Sequence, residues 1–125
     1  MIECEPRMPS VLVVDDDPTI SVIVAEALRD DGYAVDVAEN GAVALQKVRR
    51  MRPAVVVLDL MMPVMDGWTF LDRCRADPHC TEVRIVVLSA AHRSSTDHLT
   101  ADAYITKPFN LGDLLDTVER LATPQ

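Results

Sequence analysis

Three aspartates, Asp15, Asp16 and Asp17, stand directly behind a short apolar run, Val11 to Val14. A fourth, Asp59, stands directly behind the most apolar run of the chain, Ala54 to Leu58. Ser89 closes a similar run, Arg84 to Leu88, and Lys107 closes Ala103 to Thr106. Carboxylates gathered within a few ångströms disfavour one another's ionisation unless a counter-charge joins them. A divalent cation is the natural counter-charge, and oxygen ligands with room for waters suit Mg2+. A hydroxyl and an ammonium at the same edge complete a set able to bind a phosphoryl group. The cation and Lys107 would neutralise its oxygens while the carboxylate of Asp59 attacks phosphorus. Singly, each residue reads as a helix cap, a turn former or a solvated charge. Their joint placement behind four apolar runs carries the chemistry.

Those runs are strands, because they are short, continuous and rich in β-branched residues, and amphipathic stretches separate them. Val11 to Val14, Ala34 to Ala38, Ala54 to Leu58, Arg84 to Leu88 and Ala103 to Thr106 give five strands. Pro18 to Asp30 reads as a helix with Ile20, Ile23, Val24, Ala27 and Leu28 on its apolar face, Asp17 as N-cap and Gly32 beyond its end. Asn40 caps a helix from about Gly41 to Arg50, and Asp66-Gly67 opens a third with Phe70, Leu71 and Cys74 inward. Asn110 caps the last, Leu111 to Leu121. Alternating strands and helices imply right-handed crossovers and a parallel sheet covered on both faces. The expected fold is α/β: a flavodoxin-like, doubly wound five-stranded (βα)5 sheet in the order 2-1-3-4-5. Its ligand crevice opens where the order reverses, between strands one and three, and brings two of the acids behind strand one opposite Asp59. The fourth helix should be short or irregular, because Ser94 to Thr100 offers one large apolar residue and little periodicity. Residues 1–9 read as an N-terminal extension and 10–123 as one domain.

Composition bounds the rest. The chain has 125 residues, 49% of them hydrophobic and 26% charged, the balance of a globular domain with one core. Aromatics are only 4%, so the core must be aliphatic. A formal charge of −8 repels phosphate backbones and argues against direct nucleic-acid binding. No apolar run approaches a membrane span, and the acidic N-terminus lacks the pattern of a signal peptide. Cys4, Cys74 and Cys80 are odd in number and lack C-x-x-C spacing, so reduced thiols in a cytoplasmic protein are expected.

The chain resembles the receiver domains of two-component response regulators. The matching stretches are Val11 to Pro18, Val57 to Gly67 (with its D-x-M-M-P-x-M-D-G segment), Leu88-Ser89-Ala90 and Asp102 to Phe109. The resemblance implies Mg2+-dependent phosphorylation of Asp59 by a sensor histidine kinase or phosphotransfer protein. It implies metal ligation by Asp15, Asp16, Asp59 and the backbone carbonyl of Met61, with Asp16 binding directly and Asp15 largely through water. Lys107 would hold one phosphoryl oxygen, Ser89 would move to bind another, and Tyr104 would turn inward as the aromatic switch. Eighteen residues separate Ser89 from Lys107, about four fewer than in the family, which is one helical turn. In the family the face formed by helix four, strand five and helix five often carries dimerisation or output contacts, and the resemblance with a shortened helix four implies a departure from that use here. Met61 and Ala91 stand where polar residues of the family orient an attacking water, which implies a long-lived phosphoaspartate. The chain ends just past its last helix, so output is expected through contacts with a downstream protein or through onward phosphate transfer. The expected role is a phosphoacceptor that assists its own phosphotransfer, not an enzyme. Two rivals are a phosphate-independent interaction module with this fold and a Mg2+-dependent phosphohydrolase. The second lacks a second acid after Asp59, where Leu60-Met61-Met62 follows, and the chain leaves little room for a cap.

Overall fold

The computed structural model describes residues 9–62, 64–89 and 101–123. Within them the elements run β1 (Ser10–Val14), α1 (Pro18–Asp30), β2 (Ala34–Ala38), α2 (Gly41–Met51), β3 (Val55–Asp59), α3 (Gly67–Ala76), β4 (Arg84–Ser89), β5 (Ala103–Thr106) and α4 (Leu111–Ala122). The strands form one sheet in the order β2-β1-β3-β4-β5, every pair parallel, as the alternation implied. The short fourth helix expected over Ser94 to Thr100 lies outside the described residues, as does Ala91.

Each helix starts on the cap its sequence offered. Asp17, Asn40, Asp66 and Asn110 accept from the backbone N–H groups of Thr19, Val43, Thr69 and Asp113, at 2.8–3.2 Å. These bonds satisfy donors that the first turn of a helix leaves orphaned. Gly32, with φ of 100°, ends α1 in a conformation few other residues adopt.

The period-two alternation of the strands divides the core into two layers. Leu12, Val14, Val56, Leu58, Ile85 and Val87 face α2 and α3, packing with Ala44, Val48, Phe70 and Leu71. Val11, Val13, Val55, Val57, Val86 and Leu88 face the other way and pack with Val24 and Leu28 of α1 and Leu114 and Val118 of α4. Every residue of β3 is buried, as a central strand covered on both sides must be.

Three expectations need correction. Ile23 is exposed, not inward: the buried stripe of α1 is Ser21, Val24, Ala25 and Leu28, and Ile23 with Val22 stands outside it. Positions 21, 24, 25 and 28 are spaced i, i+3, i+4 and i+7, so they form one inward stripe that leaves Ile23 off its edge. Asp59 is the last residue of β3 rather than the first beyond it, paired in register with Leu88. The cysteines are not all reduced thiols, since Cys74 and Cys80 are joined as a disulfide. The turn after α3, closed by Cys80 N donating to Asp77 O at 2.9 Å, doubles the chain back and brings their Cα atoms to 5.0 Å. A spacing of six shows this only once the turn is known.

Candidate functional site

The strand order reverses between β1 and β3, and the carboxyl ends of these two strands open a crevice. Asp15 follows β1 and Asp59 ends β3, both nearly buried at 4% and 5% exposure, and the exposed Asp16 lies beside them. One carboxylate oxygen from each of the three lies within 4.8 Å of the others. Asp15 Oδ1 accepts from Asp17 N at 2.9 Å, and Asp59 Oδ1 accepts from Met61 N at 3.2 Å. Asp15 Oδ2 is buried without a hydrogen-bond partner. Lys107 Nζ sits 3.9 Å from that oxygen and 3.4 Å from Asp59 Oδ1.

Burial pushes the pKa of Asp15 up to about 6, and the neighbouring carboxylates of Asp59 and Asp16 add to the rise. The Asp17 N–H and the Lys107 ammonium oppose it. A buried carboxylate oxygen with no donor, facing two further carboxylates, is what a hard divalent cation would complete, and the all-oxygen donor set fits Mg2+.

Lys107 arrives from the end of β5, where a cis peptide joins it to Pro108 and its N–H donates to Ser89 O at 2.9 Å. Ser89 is buried at the end of β4, paired with Thr106, so it shares the carboxyl edge with the acids. Tyr104 pairs with Val87 on the outer strand and is 45% exposed. Met61 directs its side chain outward while its N–H holds Asp59. The structure thus brings Asp15, Asp16, Asp59 and Lys107 into one cluster, with Ser89 on the next strand end and Tyr104 along the edge strand.

Sequence reasoning missed how tightly the loop after β3 is held. Gly67 N donates to Leu60 O at 2.9 Å, and a Cβ at Gly67 would lie 2.6 Å from Leu60 Cα, so only glycine permits this closure. Gly41 N donates to Met65 O at 3.0 Å, tying the start of α2 to the same loop. An open cleft of about 400 Å3 beside Asp16 is lined by Leu60, Met61, Met62, Asp66 and Trp68. Asp102 was also missed as a structural residue. It stands before β5 and its Oδ2 accepts from Ile85 N at 2.7 Å and from Arg75 Nη2 at 3.1 Å. Nothing in local sequence marks an acid that bridges two strands and a helix.

Known proteins share this fold. The model of the response regulator receiver domain family matches residues 11–119. The transcriptional regulatory protein PrrA of Mycobacterium leprae is 40% identical over 119 residues, 90% of this chain and 49% of that protein. The chain spans about half the length of the curated relatives it matches. Among solved structures, the chemotaxis response regulator CheY4 of Vibrio cholerae superposes with a TM-score of 0.84 at 33% identity, covering 92% of this chain and 99% of that one. The receiver domain of the sensor histidine kinase PA1611 from Pseudomonas aeruginosa, solved with a magnesium ion coordinated in its active-site cleft, gives 0.84 at 25% identity, covering 93% and 98%.

Proposed function

The chain belongs to the response regulator receiver domain family, and from that premise we propose that Asp59 accepts a phosphoryl group from a phosphohistidine on a sensor kinase or phosphotransfer protein. The observation that carries this reading is the buried Oδ2 of Asp15, which has no hydrogen-bond partner, set with Asp16, Asp59 and the Lys107 ammonium at the switch point of the sheet. Receiver domains are signalling phosphoacceptors of two-component systems, and residues 10–123 form that unit here.

In the transfer, an oxygen of Asp59 forms a bond to phosphorus as the bond from phosphorus to the donor's imidazole nitrogen breaks, and the electron pair leaves with that nitrogen. Asp15, Asp16, Asp59 and the backbone carbonyl of Met61 would hold Mg2+, as the magnesium in the PA1611 receiver supports. When bound, the ion neutralises charge on the phosphoryl oxygens. Met61 N orients the Asp59 carboxylate by its hydrogen bond. Lys107, already against Asp59, holds a second phosphoryl oxygen, and Ser89 supplies a hydroxyl from the neighbouring strand end. Tyr104 follows Ser89 as the aromatic switch, and altered protein contacts carry the signal onward. Met61 has no polar group to orient an attacking water, which favours a persistent phosphoaspartate. We place this activity in the cytoplasm. No helix among the described residues is long and apolar enough to cross a membrane.

Intact mass after incubation with acetyl phosphate tests the reading. We expect one phosphoryl mass on the wild type with Mg2+, and none without Mg2+ or on Asp59→Ala. A gain that survives Asp59→Ala would reassign the acceptor. No gain on wild type, together with Trp68 fluorescence unmoved by Mg2+, would favour the phosphate-independent module.

A further inference from the structure

The acceptor loop is pinned by Met61 N on Asp59, Gly67 N on Leu60 O and Gly41 N on Met65 O. Between the last two pins Val64 takes a φ of 68°. That left-handed conformation crowds the Cβ of any L-residue, and for a β-branched one it is a genuine outlier. The pins account for the conformation: the chain turns at residue 64 so that Met62 and Met65 both pack against the core layer under α2 and α3. They do not account for the valine. Glycine would adopt this φ without strain and asparagine nearly so. Nor does packing retain it, since Val64 is 84% exposed, the most exposed large apolar residue among those described. Met61, three positions earlier in the loop, is next at 64%.

In the folded state, an apolar, β-branched side chain held in a disfavoured conformation and turned to solvent adds no packing that glycine would lack. Strain persisting in a loop whose first residues orient a reactive carboxylate points to a use at that site. A protein that delivers phosphate must seat its phosphohistidine on Asp59, and its surface then covers the loop beside that carboxylate. We propose that Val64, flanked by Met61, is an apolar recognition contact for the protein phosphodonor, which presents an apolar side chain next to its phosphohistidine. This rests on the phosphoacceptor reading above and adds the chemistry by which the donor is chosen. A small donor such as acetyl phosphate makes no such contact.

Phosphotransfer from the host's autophosphorylated histidine kinases, set beside loading by acetyl phosphate, tests the assignment on Val64→Thr, Val64→Asn and Val64→Ile. Threonine keeps the shape and the strain while replacing a methyl by a hydroxyl, so we expect transfer from the fastest kinase to slow on the order of tenfold. Asparagine removes the strain, so the unfolding constant should fall roughly threefold or more while kinase transfer slows as for threonine. Isoleucine should stay within about twofold of wild type, and all three should load from acetyl phosphate at the wild-type rate. Threonine and asparagine variants that accept phosphate from the kinase at the wild-type rate would overturn the proposal. Equal slowing with both donors would overturn it too, by placing Val64 in the chemistry rather than in recognition. So would a wild type that acetyl phosphate loads and no host kinase does. A wild type that neither donor loads would overturn the phosphoacceptor reading along with it.

Discussion

Asp102 and Asp15 are the same residue type at opposite edges of one sheet, and their surroundings differ as much as two carboxylates' can. At the amino edge, Asp102 Oδ2 takes the Ile85 N–H and the Arg75 guanidinium, and Oδ1 faces Arg84 Nη1 at 3.7 Å. Arg75 continues the network to Thr81 O and Val83 O at 3.1 and 2.9 Å. Nearby, Asp77 collects the His79 N–H and Arg49 Nε, each at 2.8 Å. At the carboxyl edge, Asp15 keeps a buried oxygen with no hydrogen-bond partner beside two further carboxylates. A saturated carboxylate fixes the distance between the elements it joins. An unsaturated, crowded one is raised in energy until a ligand arrives. The difference separates an edge that holds β4 and β5 to α3 from an edge left open to a ligand.

The sharpest way to break this contrast is to remove the saturated acid. Asp102→Ala orphans the N–H of the fully buried Ile85 and removes the carboxylate that faces Arg75 and Arg84, and should destabilise the fold by about 2 kcal/mol. Its urea midpoint should fall while acetyl phosphate still loads the folded fraction; loss of loading without loss of stability would erase the division. The opposite edge should respond with the opposite sign. Asp15→Asn removes a buried charge from a like-charged cluster, so the metal-free protein should gain roughly 1 kcal/mol. The same variant should lose the Mg2+-induced change in Trp68 fluorescence, and a destabilised apo variant would show that Asp15 is structural after all. The smallest effect belongs to pH. The His79 N–H and the Arg49 guanidinium hold Asp77 below its ordinary pKa of 3.8. Its contribution is therefore present above that value and lost as pH falls through the lower folded-state value. Stability of wild type and Asp77→Asn, followed by denaturant titration from neutral to acid pH, should converge on the acid side.

Much of the working edge was legible before any coordinates, because strand period and residue type both survive in one dimension. Five β-branched runs with acids, a serine and a lysine at their ends give the sheet, and the sheet's topology gives the meeting of Asp15, Asp16 and Asp59. What stayed hidden depends on contacts between elements distant in sequence. The buried stripe of α1 keeps helical period but runs through Ser21, Val24, Ala25 and Leu28, and the choice of that stripe over the one through Ile23 is made by the packing. The Cys74–Cys80 pairing follows from a turn whose bonds close only in three dimensions. Asp102 reads as a turn residue until β4 and α3 are placed around it, and Val64 reads as one more apolar residue until its backbone angle is known.

The two backbone bonds that close the acceptor loop, Gly67 to Leu60 and Gly41 to Met65, act as a ruler for its length. A residue inserted between them must break a bond or push Met65 off the first turn of α2, and a deletion must do the same. A change of side chain in this stretch leaves both bonds in place, whereas a change of length strains them. A protein engineer who wants to change the surface of this loop has the exposed side chains at positions 61 and 64 to rewrite and little backbone to add.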